Sequence, residues 1–93
     1  MSEAEEIAAA HALLRAGRLG EAGPAFAALT ARFPERADLW HLRAIVEHQR
    51  GSVATARELA ARAISLDGTQ AGFHLLAGHV AVAIQRARLA EEN

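Results

Sequence analysis

Apolar side chains recur three and four residues apart along much of the chain, as Ile7, Ala10 and Leu14 do, which stacks them on one face of a helix. β-Branched residues are few and alanine fills 24 of the 93 positions, so intrinsic propensity favours helix nearly throughout. Breakers divide the pattern at Gly17 and Gly20, at Phe33-Pro34, at Gly51 and at Asp67-Gly68. An all-α chain of about five helices joined by short turns is predicted. The first runs from Ser2 or Glu3 to Ala16, with acidic residues in its first turn and Arg15 in its last, the charge order that the helix dipole prefers. The second runs from about Gly20 to Phe33, with Pro24 near its first turn, where a missing N–H need not break an internal bond, and Pro34 ends it. The third starts after Arg36, the fourth near Ser52, whose hydroxyl can cap exposed N–H groups, and the fifth near Thr69.

The spacing of the breakers is itself periodic. One constant offset carries Gly17 onto Gly51, Ala22 onto Ala56, Ala27 onto Ala61, Pro34 onto Gly68, and Ala10 onto Ala44 and then Gly78. The glycines suit a tight turn inside a helical hairpin, whereas Ala10, Ala44 and Gly78 are small enough for a paired helix to come close. This register resembles the tetratricopeptide repeat family, whose unit is a helix-turn-helix. Trp40, Ala44, Gly51, Ala56, Ala63, Ile64, Leu66, Asp67 and Gly68 carry its best copy, and Ala10, Leu13, Gly17, Ala22, Phe26 and Pro34 the first.

The likeness implies one domain over 1–93, with a repeat at about 3–36, a second at about 37–70, and a partial repeat or capping helix at 71–93. In the third unit His74 stands in the place of Trp40, and Gln85 in that of the turn glycine. Arg43, Glu47 and Ala60 depart from the family's leucine, tyrosine and aromatic residues, so looser packing is expected around them. Residues 70–91 are either one extended capping helix or the start of a repeat in a longer array.

The resemblance further implies a right-handed α-α superhelix in which the first helix of each hairpin lines a concave face. Carried over position by position, the contact residues for a protein or peptide partner are Ile7, His11, Leu14 and Arg15 from the first copy. The second copy supplies Asp38, His41, Ile45, His48 and Gln49, and the third Leu75, His79 and Val82. An apolar floor flanked by histidines would take an amphipathic helix or an extended apolar peptide. The competing reading is that Ile7, Leu14, Ile45 and Val82 bury a core face, as apolar residues at helical spacing commonly do. Family members that hold chaperone C-terminal tails clamp the terminal carboxylate with Lys, Asn and Arg. Ile7, His11, Leu42, Gly72 and Leu76 fill those places here, so that ligand is a poor candidate.

Charge narrows the partners. Ten arginines, with no lysine, oppose nine Glu and two Asp for a net charge of −1, and the arginines are dispersed over all the helices. Such a chain has no field to attract nucleic acid or an anionic membrane, and neither is expected as a partner. The most apolar stretch, Leu75 to Ile84, is too short to cross a bilayer, and the acidic start lacks the basic-then-apolar order of an export signal. A cytoplasmic location follows as the expectation, and the alanine and arginine bias suggests a GC-rich bacterial source. There is no cysteine, which removes disulfides, thiolate metal ligands and a cysteine nucleophile together.

Five histidines invite a metal or acid–base reading, but their spacing opposes it. His41 and His48 are seven apart and His74 and His79 five, whereas two ligands on one helix sit three or four apart. Ser2, Ser52 and Ser65 read as terminus, cap and helix surface, and no nucleophile elbow or phosphate-binding glycine loop occurs. No catalytic residue, metal or cofactor is therefore assigned.

The last helix places Phe73, Leu75, Leu76, Val80, Val82, Ile84 and Leu89 around much of its circumference, which calls for a cover. The cover is the continuation of the chain, a second copy in a homodimer through this helix, or the ligand. The reading taken forward is a non-catalytic protein–protein interaction module. Its alternatives are a docking or regulatory segment of a larger enzyme of glycosyltransferase or sulfotransferase type, and a small secretion-type chaperone.

Overall fold

Two hairpins with the same internal boundaries build most of the protein. The computed structural model describes residues 2–92. Its helices are α1 (Glu3–Arg15), α2 (Leu19–Arg32), α3 (Ala37–Gln49), α4 (Val53–Leu66) and α5 (Ala71–Glu92). One offset carries both ends of α1 onto those of α3 and both ends of α2 onto those of α4, and it is the offset that carries Gly17 onto Gly51. The turn chemistry repeats as well. Gly17 and Gly51 take φ of 75° and 85°, the left-handed region that side chains with a Cβ avoid. The N–H of Gly17 donates to Leu14 O and that of Arg18 to Leu13 O, while Gly51 donates to His48 O and Ser52 to Glu47 O. Both helices thus end in a Schellman motif, which satisfies carbonyls that would otherwise lack partners.

Several local expectations need correction. Pro24 lies in the second turn of α2, inside the helix, so its missing N–H does forfeit an internal bond. Ser52 occupies the N-cap of α4, but its side chain makes no capping bond. The capping serine is Ser2, whose hydroxyl accepts from the Glu5 N–H at 3.2 Å. α5 starts at Ala71 and not near Thr69, because Asp67 accepts from both the N–H and the hydroxyl of Thr69, at 3.1 and 2.6 Å, and holds it in a turn. Those bonds, the hydroxyl's first, hold the exposed Asp67 carboxyl below its ordinary pKa. α5 then continues unbroken to Glu92. Gly78, expected at a close helix approach, is exposed with nothing within 4 Å of a Cβ built on it, since no sixth helix pairs with α5 among the described residues.

Packing runs between sequence neighbours, most extensively between α3 and α4, with a lighter contact from α3 to α5. No substantial contact joins α1 to α4 or α5, and the described residues form an open stack of 50 × 29 × 19 Å, not a closed bundle. The first apolar cluster centres on Phe26, Leu39 and Val46, all fully buried. The second joins Ala44, Ala56, Leu59 and Ala60 to Leu76 and Val80 of α5. Small side chains make up much of this contact, and Ala60 is only 2% exposed. Ala44, Ala56 and Ala63 have no exposed surface, and residues of that size allow the close approach of paired helices.

Trp40 ties this contact to the preceding loop. Its indole N–H donates to Pro34 O at 2.9 Å, and the guanidinium groups of Arg43 and Arg62 lie 5.7 and 5.3 Å from the ring centroid. Arg43 also donates to the hydroxyl of the buried Thr30 at 3.2 Å. No helix is long and apolar enough to cross a membrane among the described residues.

Candidate functional site

The N-cap at Ser2 starts α1 so that Ala4, Ile7, Ala8, His11 and Arg15 fall on one side of it, at helical spacing. That side faces Leu42 of α3 and Arg36 of the preceding loop across a cleft of about 740 Å³. Ile7 and Leu42 also pack on the first apolar cluster, which fixes the floor of the cleft from beneath. Ala4 and Ala8 are exposed and keep the floor low.

The polar rim is partly committed. Arg36 donates to Glu3 at 2.7 Å and to both carboxylate oxygens of Asp38 at 2.7 and 3.2 Å. Asp38, then Glu3, raise its pKa further above the ordinary guanidinium value, so it acts as a charged strut between the starts of α1 and α3. Glu6 pairs with Arg32 across α1 and α2. Arg15 points its Nε and Nη2 at His11 Nδ1, at 3.3 and 3.0 Å. A guanidinium only donates, so Nδ1 is the acceptor, the neutral His11 ring carries its proton on Nε2, and Arg15 keeps further donors for a ligand. The arrangement supplies an apolar floor with directed donors at one edge, which suits binding of acceptor groups beside apolar side chains.

Only some of the contact residues expected from the sequence meet here. Ile7, His11 and Arg15 line the cleft, whereas Leu14 is half-buried against the first cluster and outside the cleft lining. His41 was expected on the open face, but its ring stacks on Phe73 of α5 at 4.6 Å. Its Nδ1 is buried without a hydrogen-bond partner, and desolvation lowers its pKa. Ile45 packs against the second cluster, because α5 lies over this part of α3. His48 is half-buried, and Gln49 and His79 are exposed. Leu75 and Val82 are 62% and 49% exposed on α5, outside the cleft lining.

Sequence reasoning missed Leu42, Arg36, Ala4 and Ala8. The signal for Leu42 was the resemblance, since Leu42 fills one of the places that clamp a terminal carboxylate in some tetratricopeptide repeats. A second hollow, of about 610 Å³, lies between α4 and α5 over Ala61, Ile64, Ala77 and Ile84, with Arg57 and Arg88 at its edges. No group of three or more His, Asp or Glu assembles at metal-ligating distances among the described residues.

Set against known proteins, the chain matches no family model and no curated relative.

Proposed function

We propose that the protein is a non-catalytic interaction module that binds a peptide or amphipathic helix of another protein in the cleft between α1 and α3. The observation that carries this reading is the cleft itself, an apolar floor of Ile7 and Leu42 held by the core and edged by Arg15 and His11. A ligand would lay apolar side chains on that floor and turn a carboxylate or carbonyl toward Arg15 and the His11 Nε2–H. The repetition of helix boundaries and left-handed glycines from the first hairpin to the second supports the likeness to tetratricopeptide repeats. On this reading α1, α3 and α5 are the leading helices of a right-handed superhelical stack. His41 and Ile45 then support the surface from below, and the ligand touches Ile7, His11, Arg15 and Leu42.

The test uses peptides selected from a displayed library against the whole chain. Ala8→Glu puts a carboxylate on the floor at an exposed position that no core residue covers. It should weaken peptide binding by about tenfold or more, roughly the loss of one well-placed contact and its desolvation, with the helical circular dichroism and melting temperature kept. Peptides that bind this variant and Arg15→Glu as tightly as the parent chain would overturn the reading.

A further inference from the structure

The hollow between α4 and α5 is the counterpart of a place that is filled earlier in the stack. The offset that carries Gly17 onto Gly51 carries Gly23, Ala27 and Thr30 of α2 onto Arg57, Ala61 and Ile64 of α4. It also carries Arg43, Glu47 and Arg50 of α3 onto Ala77, Ala81 and Ile84 of α5, so the two helix junctions are built from matching positions. At the first junction the long side chains of α3 lie on α2. Arg43 donates to Thr30, and Arg50 pairs with Glu47 at 3.3 Å. That pair lies over the backbone of Gly23, where a Cβ would stand 2.7 Å from Arg50 Nη1 and 3.4 Å from Glu47 Oε1. At the second junction two alanines and an isoleucine take the places of the three long side chains, and about 610 Å³ stays open over an apolar floor.

We propose that this hollow binds a helix of another protein, apolar on one side with carboxylates beside it, which inserts side chains between α4 and α5. The first junction supplies the geometry. Arg43, Glu47 and Arg50 stand at i, i+4 and i+7 of one helix, so side chains with that spacing fit the matching space. The floor decides their chemistry. Ala61, Ile64, Ala77 and Ile84 offer no polar side-chain group, and a polar residue laid on them would lose hydration without gaining a partner. Charge decides what flanks them. No carboxylate lies within ion-pair distance of Arg57 or Arg88 among the described residues, although Glu91 and Glu92 follow Arg88 by three and four. Two guanidiniums against the single carboxylate of Glu92 leave the rim of the hollow net positive, with donors free for an Asp or Glu of the incoming helix. None of these residues lines the α1–α3 cleft, so the two sites fill independently.

The probe is a stapled synthetic helix with leucine at i, i+4 and i+7 and glutamate in the turns on either side; its control carries lysine for each glutamate. Binding is read by fluorescence anisotropy on the whole chain carrying Ala8→Glu, which closes the α1–α3 cleft. The glutamate peptide should bind saturably, and the lysine peptide about tenfold more weakly or worse. Arg57→Gln with Arg88→Gln, both at exposed positions, should remove that preference. Ala81→Glu gives α5 the residue that stands at the matching place on α3, again at an exposed position, and should block both peptides with circular dichroism and melting temperature kept. No binding of the glutamate peptide, equal binding of the two peptides, or binding that survives Ala81→Glu overturns the proposal.

Discussion

Replacing Gly51 probes the second hairpin through a single backbone angle. Its φ is 85°, and a Cβ built on it meets nothing within 4 Å, so any penalty comes from conformation and not from space. Alanine in a left-handed conformation costs about 1–2 kcal/mol. A chain of this length is stable by roughly 5–14 kcal/mol, and a loss of 1 kcal/mol lowers the melting temperature of such a domain by about 4–8 °C. Gly51→Ala should therefore be folded but clearly weaker. Gly51→Asn should be the milder change although asparagine is larger, because its side chain tolerates this region. Gly51→Val should be the worst, since a β-branched residue adds its own crowding there. Urea unfolding followed by circular dichroism and by the fluorescence of Trp40, the single tryptophan, reads all three against the parent chain. The decisive result is the order glycine, asparagine, alanine, valine. A ranking by side-chain size, with asparagine below alanine, would refute the left-handed turn. The same series at Gly17, with φ of 75°, should reproduce the order in the first hairpin.

Two further outcomes follow from packing and burial. Phe26 is fully buried at the centre of the first cluster, so Phe26→Ala should cost about 3–5 kcal/mol in urea unfolding; a loss under about 1 kcal/mol would mean the cluster is not packed around it. Burial lowers the pKa of His41, so below its ordinary value of about 6.5 the unfolded chain binds a proton that the folded chain resists. Its contribution is thus intact above that pH and is lost as pH falls toward the lowered folded value. His41→Gln should flatten the acid side of the stability–pH curve, and a curve parallel to the parent's there would refute the assignment.

The helices and their turns were legible in the chain because they depend on short-range causes. Alanine-rich segments propagate helix, Gly17 and Gly51 permit the left-handed exit, and the constant offset between matching breakers exposes the hairpin twice. One local misreading came from a competing partner nearby, since Asp67 captured Thr69; Ser52 sits at its N-cap without a capping bond. The groove was harder to read. Ile7, Leu14, Ile45 and Val82 share the same apolar spacing, yet one floors a cleft, two pack half-buried against the clusters away from it and one faces outward. Which of these happens depends on a helix far along the chain: Leu42 of α3 across the cleft from α1, or α5 covering part of α3 and taking the His41 ring against Phe73. Helical periodicity says that a side has apolar residues; only the placement of neighbouring helices decides whether that side is filled, hollow or bare, because burial is a property of pairs of surfaces and not of one segment.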